Sequence, residues 1–176
     1  MSGDGADDGA PPAGTGAVEV AGEVACAEPV DADRWSALLA DVLAAEGVAA
    51  GAQVGLTFVG AEAMAELNAT HMGAEGPTDV LAFPVDGREA AGAGDAGPPG
   101  LVGDLVVCPR VAATNAPDHA GTEDDELALL VVHGALHLVG HDHAEADERA
   151  RMQARERTLL ADLHGPLAAD PWAVVG

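Results

Sequence analysis

Four of the seven histidines in this 176-residue chain fall within the eleven residues from His133 to His143. His133 and His137 are four apart, a spacing that stacks both imidazoles on one face of a helix and aims them at a single ion. Gly140 follows, a residue able to take a positive φ and stop the helix. The returning chain then offers a third imidazole. His143 is the preferred one, with His141 the alternative if the helix continued unbroken. The pattern His-x3-His-x2-Gly-x2-His is that of a three-histidine catalytic zinc site with a fourth position left for water. One zinc ion per chain is the expected cofactor, bound by His133, His137 and His143.

Position 134 narrows the chemistry. A zinc protease of the HExxH type carries Glu after the first histidine, as the base that takes a proton from the attacking water. Here the residue is Gly134. Metal binding survives that change and peptide hydrolysis loses its main support. A proton acceptor must come from elsewhere, and His141 or a carboxylate such as Asp79 is a candidate. Asp142, between the last two histidines, either orients a ligand imidazole or caps the final helix.

These groups need a scaffold, and hydrophobic periodicity outlines one. Residues 1–16 are Gly, Ala, Asp and Pro with almost nothing to bury, and read as a disordered tail. Val18 to Val20 reads as a short first strand. Trp35, Leu38, Leu39, Val42 and Leu43 recur at helical spacing over residues 31–45, with Asp31 or Asp33 as cap. Val54, Leu56 and Phe58 alternate in a strand over 53–59, and a short helix covers 61–68. Strands follow at Val80 to Phe83 and Leu101 to Val107, joined through the Gly/Ala/Pro-rich stretch 86–100, read as a flexible hairpin connection. A helix opens at Arg110. The strongest helix spans Glu123 to Leu138, with Thr122 as cap and four acidic residues in its first turn. A last helix covers Ala144 to Leu163, with Arg149, Arg151, Arg155 and Arg157 read as pairing with Glu145, Asp147, Glu148 and Glu156, or alternatively as phosphate contacts. Residues 165–176 read as a loose tail. The expected fold is α+β: a single domain over 17–164, with a mixed four-stranded sheet packed with about five helices.

Composition bounds the function. Thirty acidic residues face seven basic ones, all of them arginine, for a formal net charge of −23. Such acidity ordinarily argues against nucleic acid, whose phosphates are met by Lys and Arg. It equally suits a surface adapted to high salt, since net charge speaks to solubility before fold. Cys26 and Cys108 form neither a framework nor a CxxC pair, which suits reduced thiols and a cytoplasmic location. The sequence shows no secretory leader pattern and no apolar run of about 18 residues, so no membrane partner is expected.

Two further motifs place carboxylates at strand ends: Gly76-Pro-Thr-Asp-Val-Leu-Ala-Phe-Pro84, with Asp79, and Gly103-Asp104 ahead of Leu105 to Val107. Together with Leu67-Asn68, Cys108-Pro109, Glu126-Leu127, the histidine motif and Met152, they resemble the YbeY family of bacterial metallo-endoribonucleases, over roughly residues 17–164. The resemblance implies a mostly parallel, mixed sheet and a zinc ion on His133, His137 and His143. It also implies single-strand-specific RNA cleavage in maturation of the 3′ end of 16S ribosomal RNA and in ribosome quality control. The implied partners are ribosomal RNA and the small ribosomal subunit, with no DNA expected. Two departures stand out. The family commonly has Tyr where this chain has His141. It also commonly has Arg soon after the Leu-Asn pair, where this chain reads Thr70-His71-Met72-Gly73. His71, Arg88 or Arg110 is then the candidate for contact with RNA. The rival expectations are a ribosome-associated assembly factor with little catalytic activity and a zinc hydrolase of another phosphoester.

Overall fold

The computed structural model describes residues 18–85 and 100–173. Its elements run β1 (Glu19–Ala25), α1 (Ala32–Ala45), β2 (Gln53–Val59), α2 (Ala61–Met72), β3 (Val80–Pro84), β4 (Leu101–Val107), α3 (Pro109–Asn115), α4 (Glu123–Leu138) and α5 (Ala146–Leu163), with a 3-10 turn over Ala116–Asp118. The strands form one sheet in the order β1-β2-β4-β3. β1 and β4 run parallel to the central β2, and β3 runs antiparallel to β4. The single-domain α+β expectation holds: a mixed four-stranded sheet and five helices.

Side-chain alternation sorts the two faces. Val54, Leu56 and Phe58 of β2 and Leu105 and Val107 of β4 join α1 and α4 in the main core, while Val59 and Val106 point the other way into a smaller cluster with Met64, Leu81 and buried Cys108. Each large apolar side chain buried in this way contributes about 1.5–3 kcal/mol. Both cysteines are free thiols.

The helix signals act where the sequence puts them. Asp31 caps α1 by accepting from Arg34 N at 3.2 Å, and Thr122 caps α4 by accepting from Asp125 N at 3.1 Å. After its acidic first turn, α4 is apolar on every side from Leu127 to Val132, and all of these residues are buried. That is the pattern of a helix enclosed by its neighbours, here β3, β4, α1, α3 and α5. The enclosed stretch holds the last two turns of the helix in place.

Several boundaries move. β1 extends to Ala25, pairing Glu19 with Gln53 through Ala25 with Val59. Its side chains are mostly exposed, so ladder hydrogen bonds define it and apolar periodicity does not. α2 continues four residues past Asn68 and closes at Gly73, with φ 65°. α5 starts at Ala146, because Glu145 and Glu148 form a reciprocal capping box there. The tail 1–16 and nearly all of the 86–100 connection lie outside the described residues; the strands flanking that connection pair directly, Val80 with Val107 through Pro84 with Gly103.

Candidate metal centre

α4 carries His133 and His137 on its last two turns, beyond the buried stretch that anchors it. The helix ends at Leu138, and Gly140 takes φ 102°, a conformation that costs a residue with a Cβ. His141 N then donates back to Leu136 O at 3.0 Å. Asp142 Oδ1 accepts from His143 N at 2.7 Å, so Asp142 shapes this loop, while the cap of α5 is Glu145. The reversal brings the His143 ring centroid to 5.6 Å from that of His133 and 5.0 Å from that of His137. One nitrogen from each of the three rings lies within 4.8 Å of the others, close enough to share an ion.

The contacts behind the rings fix which nitrogens face the shared point. His133 Nδ1 lies 2.5 Å from Glu156 Oε1, and His137 Nδ1 lies 3.0 Å from the carbonyl oxygen of His141. A carboxylate and a carbonyl only accept, so both Nδ1 atoms carry the proton. In the neutral rings both Nε2 atoms are then bare lone pairs, and they stand 3.1 Å apart. Two lone pairs at that distance call for a cation between them. Burial pushes the His137 pKa down, and the neighbouring His133 and His143 push it further, which disfavours a proton in that role. The donor set and its outer contacts therefore fit a metal ion on neutral imidazoles.

A cavity of about 270 Å³ opens beside His133 and His143, and Asp79, His119, Arg149 and Trp172 contribute to its walls. The model of the family described as Endoribonuclease YbeY matches residues 24–164. This chain belongs to the YbeY family. It is 43% identical over 152 residues to the endoribonuclease YbeY of Salinispora tropica, covering 82% of this chain and 94% of that protein. To the Thermobifida fusca endoribonuclease YbeY it is 41% identical over 133 residues, covering 76% and 86%. The solution structure of a Thermotoga maritima protein superposes with a TM-score of 0.56 at 25% identity, covering 82% of this chain and 90% of that one.

In this YbeY-family chain the remaining candidates are scattered. Asp79, at the entry to β3, lines the cavity. His141 turns away from the other three histidines, its Nε2 3.3 Å from Glu46 Oε2 at the end of α1. Glu46 also accepts from Arg155 Nε. His71 sits exposed in the last turn of α2, edge-on to Phe83 with centroids 4.9 Å apart. Arg110, on α3, lines a separate cleft with Arg34 and the acidic Glu28, Asp31, Glu123 and Asp124. Arg88 lies outside the described residues. The arginines of α5 do not pair within their helix as expected: Arg155 reaches Glu46 and Arg157 reaches Asp170, at 4.0 Å. Arg149 faces the cavity.

Sequence reasoning missed three contributors. His119 Nδ1 donates to the fully buried Glu126, at 2.8 and 3.0 Å from its two oxygens, and Ala120 N donates to the same carboxylate at 3.1 Å. This leaves the Nε2 edge of His119 for the cavity it lines. Glu156, expected on a solvated face, is instead buried behind His133. Trp172 donates its indole N–H to Glu156 Oε2 at 2.8 Å. The stretch 165–173, expected to be a loose tail, is tied down: Ala168 N donates to Asp125 Oδ2 and Ala169 N to Ala120 O, each at 2.9 Å. Among the described residues, no helix is long and apolar enough to cross a membrane.

Proposed function

We propose that this chain is a zinc-dependent endoribonuclease that cleaves single-stranded ribosomal RNA, with His133, His137 and His143 as the zinc ligands. The observation that carries this reading is the pair of facing Nε2 atoms, 3.1 Å apart, whose Nδ1 partners are both acceptors. When bound, zinc supplies concentrated positive charge that activates water and offsets charge developing on a phosphodiester.

The protein's own groups supply the rest. Asp79 and His119 line the cavity, and in this reading they take up and return the proton. Glu126 holds the His119 ring in one tautomer. Arg149 offers a guanidinium to a phosphate at the same wall. Gly134 provides no base, so nothing favours peptides over phosphoesters. His141, committed to Glu46, serves the fold of the loop that presents His143 rather than proton transfer. With a net charge of −23, the chain repels RNA at long range, and in this reading substrate is held by the local positive centre.

The test is cleavage of single-stranded ribosomal RNA by the wild type and by His137→Ala, with metal content measured, at low and high salt. Zinc at one per chain with cleavage, both lost in the variant, is the expected result. Zinc binding without cleavage at any salt would instead favour a ribosome-bound assembly factor or a hydrolase of another phosphoester.

A further inference from the structure

Beyond α5 the chain doubles back to the metal centre. His164 Nε2 lies 2.7 Å from Asp125 Oδ1, and Ala168 N donates to the other oxygen of that carboxylate at 2.9 Å. Gly121 leaves room for this crossing, since a Cβ there would sit 2.7 Å from the Ala168 Cβ. Asp170 Oδ1 accepts from Trp172 N at 2.9 Å and shapes the turn. The Arg157 guanidinium lies 4.9 Å from the centre of the Trp172 ring, fixing the indole by cation–π contact. The indole then reaches the cavity wall.

At the end of this path stands Glu156. It is 4% exposed, and its two oxygens have one donor each: His133 Nδ1 on Oε1 at 2.5 Å and Trp172 Nε1 on Oε2 at 2.8 Å. A buried carboxylate with one oxygen left unpaired is costly and free to rotate about its last torsion. The indole N–H removes that freedom, and the orientation of Glu156 sets the direction of the His133 ring.

We propose that Trp172 is a positioning residue of the metal centre: through Glu156 it holds His133 Nε2 at the shared point, so the segment after α5 sets the affinity for zinc. This rests on the zinc reading above. Substitution of groups directly behind a ligand typically lowers metal affinity about 10- to 100-fold. Trp172 is one bond further out, and a loss near the bottom of that range, about 10-fold, is expected.

The experiment uses the full chain and zinc alone. Wild type, Trp172→Phe, Glu156→Ala and the double variant are titrated with zinc against a chromophoric chelator, and the melting temperature of each metal-free protein is recorded. Phe keeps the ring under Arg157 and removes only the N–H. The inference predicts weaker zinc binding in Trp172→Phe, a larger loss in Glu156→Ala, and no further loss in the double variant. Zinc affinity of Trp172→Phe equal to wild type overturns it, as does a lowered metal-free melting temperature with unchanged affinity, which marks a purely structural residue. A wild type that binds no zinc, or binds it as well after His137→Ala, overturns the zinc reading itself, an outcome separable from the others.

Discussion

Gly134 and Leu105 are in such close contact that a Cβ added at 134 would lie 2.2 Å from Leu105 Cδ1, with Cδ2 and Cγ at 3.1 and 3.2 Å. Leu105 is fully buried in the centre of the sheet. The residue following the first histidine therefore points into the packing between α4 and β4, while His133 itself lines the cavity. The position that holds a proton acceptor in zinc proteases is here a place where helix meets sheet. Gly134→Ala should lower stability by about 1–3 kcal/mol through overpacking, measured by urea denaturation. Gly134→Glu should lose more and gain no peptidase activity.

The histidine loop distinguishes two neighbours. His143 meets His133 and His137, whereas His141 meets Glu46. His143→Ala should abolish stoichiometric zinc, and His141→Ala should retain it, with both read by metal analysis after dialysis. The opposite pattern would reassign the third ligand.

His119 gives a separate test of proton transfer. His119→Asn should keep zinc and slow RNA cleavage about 10²- to 10⁴-fold, the range over which a positioned acid–base group acts. Glu126→Ala takes the acceptor from the buried Ala120 N–H and from His119 and should also cost about 1–3 kcal/mol of stability, visible as an earlier unfolding midpoint. Normal cleavage by zinc-loaded His119→Asn would leave Asp79 as the proton carrier.

Asp125 ties stability to acid. Burial acts to raise its pKa, but hydrogen bonds from His164, Ala168 and Thr122 outweigh it, and the folded-state value lies below the ordinary 3.8. A lowered carboxyl pKa stabilises the fold above the unfolded value, and that contribution disappears as pH falls through the folded one. At neutral pH, Asp125→Asn should be about 1–3 kcal/mol less stable than wild type. The difference between the two should begin to shrink as pH falls below about 3.8 and vanish only below the lower folded-state value. A difference independent of pH would remove Asp125 from this role.

How much of this is legible in the sequence follows from the range of each interaction. Thr122, Asp31 and the alternation of Val54, Leu56 and Phe58 act within a few residues, so their elements stand where the sequence places them. The His133–His137 spacing is equally local, and Gly140 announces the turn that returns His143. Glu156 behind His133 and Trp172 behind Glu156 are 23 and 16 residues from their partners. No periodicity marks such pairs, and Glu156, in a helix rich in Arg and Glu, looks like any surface charge. His119 is hidden for a similar reason: its partner Glu126 reads as one more acidic residue of a helix start. β1 is longer than its apolar pattern suggests, because its side chains are exposed and its pairing with β2 is invisible to hydrophobic alternation.

Asp125 stands in the first turn of α4 and receives both His164 and Ala168, while His133, near the other end of the same helix, meets Glu156 of α5. The two helices are thus fastened at both ends of the span between them. Local fraying, which ordinarily starts at a free helix terminus, finds no free end along this seam. α4 and α5 should open as one cooperative unit, and a ligand that holds the histidines would slow amide exchange as far away as the first turn of α4.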